Sequence, residues 1–412
     1  MPSGFHLLIA AQFVSALADN ALLIVAIALL AEQGLPGWWA PMLKFGFTLS
    51  YVLLAPFVGA LADTFPKARL MAWMNAVKLS GAALMLAGVH PIAGFALVGL
   101  GAAAYAPAKY GLIIELVAPR QLVAANGWVE VSVVCAALLG TVIGGVLVSP
   151  AGVMTLSEIV PAHGLAWLTD SAHAPGMALL VAGYALASVL NQGIPDSGAR
   201  YPHREVSVWP MCRDFHHDHL RLWRDPDGGL SLAATTLVWG VAATLQFAVL
   251  RWAIDVLGLG LDRAAYLQAA VALGVIAGAA AAGRWVPLHA ARRMLPVGIV
   301  LGLLLPVVAS LDRVALAVPM LMLVGAAGGL LVVPLNALLQ HRGHAVLTAG
   351  RSIAVQGFNE NASVLAMLAV YGSLTAAQMP IRTLMWCFGA FIAAAMGALT
   401  WWAARPRSAL PR

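Results

Sequence analysis

The chain has 412 residues, 61% of them hydrophobic and only 10% charged, with a mean hydropathy of +0.88. A soluble protein carries about 25% charged residues, so a water-soluble fold is excluded and a polytopic membrane protein is expected. The net charge of +6 suits the excess of Lys and Arg on the cytoplasmic side of membrane proteins and does not point to nucleic acid. The three cysteines, Cys135, Cys212 and Cys387, lie in unlike surroundings and make no disulfide framework.

Apolar runs of about 20 residues, enough to cross a hydrocarbon core of about 30 Å, recur along the chain. They predict spans near 5–31, 41–62, 68–88, 91–113, 122–148 and 174–194, then 229–256, 264–286, 292–311, 315–341, 346–374 and 380–404. The N-terminus has neither a basic region nor a small-residue cleavage site, so the first run reads as a retained span rather than a removed signal peptide. Placing the N-terminus inside leaves only Arg263, Arg313 and Arg382, with Lys44 just within span 2, at the outer end. The opposite connections and the C-terminal tail hold Lys67, Arg69, Arg120, Arg200, Arg204, Arg213, Arg221, Arg224, Arg284, Arg292, Arg293, Arg342, Arg351, Arg405, Arg407 and Arg412. Both termini are therefore expected in the cytoplasm, which requires an even number of spans.

One long hydrophilic stretch divides the chain into an N-terminal six-helix bundle (1–194), a cytoplasmic linker loop (195–228) and a C-terminal six-helix bundle (229–412). The halves are faintly self-similar: "LVGLGAAAYAPAKYGL" in span 4 is similar to "LVGAAGGLLVVPLNALL" in span 10. A half-length repeat across a central loop is the pattern of transporters built from two pseudo-symmetric bundles.

Charges inside lipid are costly and usually face the bundle interior. Asp19 and Asn20 fall in span 1, Lys78 in span 3, Lys109 in span 4, Asn126 and Glu130 in span 5, and Gln356, Asn359, Glu360 and Asn361 in span 11. Arg251 and Asp255 of span 7 are four residues apart, so they neutralise one another on one helix face. Lys78 either snorkels or pairs with an acid on a neighbouring helix. Asp19 is too short and too deep to reach water along lipid, which points to an interior role. In the linker, "CRDFHHDHLRLWRD" reads as a solvated amphipathic helix; Cys212, His216 and His219 would share a face, without a fourth zinc ligand. The outer segment 150–173 carries no Lys or Arg and is expected to lie partly in the interface, anchored by Trp167.

"GALADTFPKARLM" (59–71) resembles the loop signature of the major facilitator superfamily, with Thr64 and Pro66 at two positions that usually hold a basic residue and a Gly. Its expected gating residues are Gly59, for close helix approach, Asp63, which can meet a basic group or a helix N-terminus, and the basic Lys67 and Arg69. "AQFVSALADNALL", "APFVGALAD", "VGLGAAAYAPAKYGLIIEL", "AANGWVEVS", "VVPLNALLQHRG" and "IAVQGFNENASVLAML" resemble the bacterial lysophospholipid transporters, a branch of that superfamily, in order from residue 8 to about 375.

The resemblance implies a major facilitator fold that flips lysophosphatidylethanolamine and related lysophospholipids inward across the bacterial inner membrane. It also implies re-acylation by an acyltransferase–acyl carrier protein synthetase, expected here on a separate chain. By motif match it makes Asp19, Lys109 and Glu360 the charged cavity residues. The full expected substrate-binding set is Asp19, Asn20, Lys109, Glu130, Glu360 and Asn361. No cofactor is expected; Na⁺, H⁺ or no ion could couple transport, and the resemblance leans to Na⁺ or none. A lysolipid suits the residues, since Lys109 can meet a phosphate, Asp19 or Glu360 an amine, and apolar walls one acyl chain. The main rival is a proton-coupled exporter of the same superfamily, with Asp19 as proton carrier. An embedded acyltransferase is disfavoured, because no His is followed by an acid five residues on, and no enzyme is expected.

Overall fold

The structure is a computed structural model that describes residues 2–35, 39–159, 171–199, 201 and 208–405. Among these residues it is helical throughout, with no strand. In chain order the helices are α1 (Ser3–Glu32), α2 (Trp39–Thr64), α3 (Lys67–Leu86), α4 (Pro91–Leu116), α5 (Leu122–Val148), α6 (Pro150–Ile159) and α7 (Ala174–Gln192). There follow α8 (Val208–Arg224), α9 (Pro226–Asp255), α10 (Leu261–Trp285), α11 (Leu295–Ala309), α12 (Val314–Val346), α13 (Ala349–Ala376) and α14 (Ile381–Ala404).

Each expected apolar range is occupied by a helix, and α6 and α8 are additional. Among the described residues ten helices are long and apolar enough to cross a membrane; α3 and α13 are not among them. The reason is local. These two carry Lys67, Arg69 and Lys78, and Arg351, Asn359, Glu360 and Asn361, the polar groups that lower their mean hydropathy. Trp167 of the outer segment lies outside the described residues.

Helix starts follow from local chemistry. Pro91 and Pro226 open α4 and α9, where a missing N–H costs nothing. Asp225 caps α9, its carboxylate accepting from the N–H groups of Asp227 (3.1 Å) and Gly228 (2.7 Å). Arg251 and Asp255 on α9 make the predicted local pair, 3.1 Å apart.

Contacts divide the chain into two compact units. Unit 1 comprises 1–118, 132–220 and 343–361; unit 2 comprises 119–131, 221–342 and 362–412. Each has its own apolar core, built in unit 1 around Leu22, Met85, Phe95, Met177 and Tyr184, and in unit 2 around Trp252, Leu305, Leu321, Leu384 and Met396. Small residues set the closest crossings. In unit 1, a Cβ on Gly81 of α3 would lie 2.6 Å from the carbonyl oxygen of Gly94 of α4. In unit 2, Gly274 and Gly278 of α10 lie directly against the α12 backbone at Met322 and Ala326. Such contacts let helices associate in lipid, where no hydrophobic force separates helix from solvent.

Candidate functional site

On α1, Gln12, Ser15 and Asp19 are spaced i, i+3 and i+7 and so share one face of the helix. Gln12 and Ser15 are buried, and the Asp19 side chain is 17% exposed. Each residue of this stripe meets side chains of other helices in unit 1. Gln12 donates through Nε2 to Ser132 Oγ on α5 (2.8 Å), and its Oε1 accepts from Lys109 Nζ on α4 (3.3 Å). Ser15 donates to Asn75 Oδ1 on α3 (2.7 Å). Asp19 receives Lys78 Nζ of α3 on Oδ2 (2.7 Å) and the Tyr184 hydroxyl of α7 on Oδ1 (2.8 Å).

The Lys78 ammonium also donates to Ser15 Oγ at 3.0 Å and lies over the rings of Tyr105 (5.1 Å) and Tyr184 (5.9 Å). A lone ion in this position would carry several kcal/mol of desolvation cost. The ion pair and its added donors offset that cost, so of the two readings of Lys78 the structure takes pairing with an acid. Lys109 Nζ lies over the Tyr110 ring at 4.2 Å.

The other expected binding residues are placed differently. Asn20, next to Asp19 but turned off the stripe, donates back to the Ala16 carbonyl (2.8 Å). Glu360 accepts from Gln356 one turn earlier (2.8 Å), and Asn361 donates to the Gly357 carbonyl (2.9 Å), so these contacts stay within α13. Glu130 is half-buried on the part of α5 that belongs to unit 2. In the same unit, the Asn126 and Gln340 side-chain amides exchange two hydrogen bonds of 2.8 Å. Asp19 and Lys109 are thus joined by the α1 stripe. Gln12, Ser15, Asn75, Ser132 and Tyr184 were absent from the expected set. The three-and-four spacing of polar residues on an apolar helix was the available signal for the first two.

A second polar cluster in unit 1 gathers around the end of α2. Gly59 lies where α2 meets α13: a Cβ there would sit 2.9 Å from Arg351 Cα. One turn on, the Asp63 carboxylate accepts from the Thr348 hydroxyl and, at 2.9 Å, from the Gly350 N–H. It thereby fills the N-terminus of α13, where unsatisfied N–H groups and the helix dipole favour an anion. Lys67 Nζ is 2.6 Å from Glu115 of α4 and 3.9 Å from Asp63. Glu115 also accepts from Ser197 (2.6 Å) and Tyr201 (2.8 Å) of the linker, and Lys67 lies 4.6 Å from the Tyr201 ring centre. Burial, and then the Glu115 charge, raise the Tyr201 hydroxyl well above the usual phenol range, so it remains a donor. Arg69 is exposed and outside this cluster.

The linker helix α8 is not the solvated helix expected from its sequence. In unit 1 the Phe215 and His219 rings pack against Phe358 of α13, at 5.5 and 5.8 Å, and Asp218 is 3% exposed in an ion pair with Arg351. A cavity of about 390 Å³ lies among Pro56, Leu61, Met211, Phe215 and Arg351. Among the described residues no cluster of His, Cys, Asp or Glu is arranged to hold a metal ion.

The family model of the Major Facilitator Superfamily matches residues 8–374. The chain belongs to the major facilitator superfamily. Relatives named "Lysophospholipid transporter LplT", from Shigella flexneri and from Escherichia coli strain SMS-3-5, are 40% identical over 404 residues, covering 98% of this chain and 96% of theirs. The fold is similar to that of a bacterial homologue of the iron transporter ferroportin in its outward-facing state, with a TM-score of 0.75, 14% identity, and 98% and 100% of the two chains covered. It is also similar to the Escherichia coli fucose:proton symporter, with a TM-score of 0.72, 14% identity and 98% of each chain covered. Membership in the major facilitator superfamily makes this a multi-pass membrane transporter and not an enzyme.

Proposed function

We propose that this transporter carries lysophospholipids, lysophosphatidylethanolamine and related species, from the periplasmic to the cytoplasmic side of the bacterial inner membrane by alternating access. The observation that carries the reading is 40% identity over 98% of the chain to proteins named for lysophospholipid transport. The buried α1 stripe supports it: one carboxylate, Asp19, and two ammonium groups, Lys78 and Lys109, with only a few neutral polar side chains beside them, suit a small charged head group better than a sugar, which needs many hydrogen bonds. In this reading Lys109 meets the phosphate and Asp19 or Glu360 the amine, with Asn20, Glu130 and Asn361 as polar neighbours. The acyl chain takes the apolar walls.

Both termini lie in the cytoplasm, in keeping with the basic residues of the alternate connections. Gly59, Asp63, Lys67 and Arg69 act as the gate, with Asp63 released from the α13 N-terminus in each cycle. The product is re-acylated by an acyltransferase–acyl carrier protein synthetase on a separate chain. Either Na⁺ couples the movement or no ion does.

The test is uptake of labelled lysophosphatidylethanolamine into proteoliposomes, with and without a Na⁺ gradient, for the wild type, Asp19→Asn and Lys109→Ala. Saturable uptake lost in both variants is expected. Wild-type uptake no greater than that of empty vesicles would reject the substrate and turn the search to proton-coupled export.

A further inference from the structure

The surroundings of Lys78 are those of a bound cation. Its ammonium is enclosed, with the residue 2% exposed. It has two oxygen contacts, Asp19 Oδ2 at 2.7 Å and Ser15 Oγ at 3.0 Å, and two aromatic faces, Tyr105 and Tyr184, at 5.1 and 5.9 Å. Those are the partners a free monovalent cation seeks: a carboxylate, a neutral oxygen and π-faces.

The second layer orients the first. Ser15 donates its proton to Asn75 Oδ1 at 2.7 Å, which turns the lone pairs of Ser15 towards the ammonium. Tyr184 donates to Asp19 Oδ1 at 2.8 Å, which leaves Oδ2 for Lys78. Four helices, α1, α3, α4 and α7, contribute to this enclosure, all within unit 1. Asn75, Ser15 and Tyr184 are each no more than 1% exposed, so the site is built into the core and not assembled at a surface.

We propose that Lys78 is a tethered cation that fills a monovalent-cation site at Asp19, so that no free Na⁺ or K⁺ binds to this carboxylate while Lys78 is present. Asp19 then meets a substrate as half of an ion pair: it accepts a further hydrogen bond without presenting a full uncompensated charge. Binding to such a group is weaker than to a bare buried carboxylate and is more readily reversed, as a carrier requires. Any coupling ion must act elsewhere in the molecule. The inference does not depend on which lipid is carried.

The test reads cation binding and not uptake, so its failure would leave the lysophospholipid reading untouched. Thermal unfolding of the purified protein in detergent is followed while NaCl or KCl replaces choline chloride at constant ionic strength. The wild type is expected to show no saturable response. Lys78→Met, which removes the charge and leaves the side chain one heavy atom shorter, should gain a saturable rise of about 2 °C or more. Lys78→Met/Asp19→Asn, with neither charge, should lose that rise. A Lys78→Met protein indifferent to Na⁺ and K⁺ overturns the proposal. The wild type tests it independently if Lys78→Met does not fold. Saturable stabilisation by Na⁺ in the wild type that disappears in Asp19→Asn would mean that the carboxylate takes a free cation with Lys78 in place, and would equally overturn it.

Discussion

Asp19 is held by two donors from two helices, and its neighbours show why an acid can persist in an apolar run. Removing either donor leaves a partly buried carboxylate short of a partner, and hydrogen bonds to charged groups contribute about 1.5–3 kcal/mol each. Tyr184→Phe keeps the ring, which belongs to the unit 1 core, and deletes only the hydroxyl that donates to Asp19. It should therefore destabilise the protein by about 1–3 kcal/mol, as measured by thermal or denaturant unfolding in detergent. A loss under 0.5 kcal/mol, roughly that of a surface change, would show that the Lys78 pair satisfies Asp19 alone. Sequence pattern made Asp19 conspicuous, because a short charged side chain deep in an apolar run is anomalous wherever it occurs. Tyr184 was not conspicuous, because an aromatic in an apolar helix reads as core until its hydroxyl is seen to have a partner.

Among elements, the junction of α2 with α13 rests on the absence of a side chain. A Cβ at Gly350 would lie 2.6 Å from the Gly59 carbonyl oxygen and 2.8 Å from Asp63 Oδ1, so the backbones must part to admit it. Gly350→Ala is expected to break the Asp63 contact with the α13 N-terminus and to expose its first amides. Hydrogen exchange over 345–355 should then quicken by about tenfold or more, and unchanged exchange would refute this. The contact of α8 with α13 has a pH dependence of defined sign. Burial, followed by the nearby His216 charge, lowers His219 below its ordinary value of 6.5. As the pH falls the unfolded chain takes up this proton before the folded one, so stability is kept above that value and lost as the pH drops through it. Melting between about pH 7.5 and 5.5 should fall more steeply in the wild type than in His219→Gln; identical slopes would reject the assignment. The amphipathic pattern of α8 was legible as a helix, but its packing was not, because Asp218 and His219 look like solvent-facing residues until Arg351 and Phe358 are placed beside them.

For the whole molecule, the two exchanged segments are the feature that matters. Residues 343–361 belong to unit 1 although they come late in the chain, and 119–131 belong to unit 2 although they come early. The first carries Arg351, the partner of Asp218, and Thr348 and Gly350, the partners of Asp63. Loss of Asp218 would leave Arg351 without its ion-pair partner, with only the Asp63 charge remaining nearby, and should cost about 1–3 kcal/mol, less than a fully buried pair because the Arg351 side chain is 19% exposed. A double-mutant cycle of Asp218→Ala and Arg351→Ala should show a coupling of about 0.5–3 kcal/mol. A coupling near zero would show that the two charges act independently.

Composition and periodicity by themselves determined that this is a helical membrane protein, where its long apolar helices run and, through ordered motifs, which superfamily it belongs to. Those are properties of the chain read in order: apolar length sets a span, and small residues, Pro and charge set its ends. The sequence also marked Asp19, Lys109, Gly59 and Asp63 as residues to explain, and it anticipated the Arg251–Asp255 pair, whose partners are one turn apart. Only the tertiary structure decided that Asp19 meets Lys78 and Tyr184, that Lys109 meets Gln12, that Asp63 meets the start of α13, and that Glu115 rather than Arg69 completes the Lys67 cluster. Helical periodicity fixes the face and depth of a side chain, but not which of several neighbouring helices stands opposite it at that depth. That choice is made by the packing of small residues at the helix crossings, across separations of 48 to 287 residues in the chain.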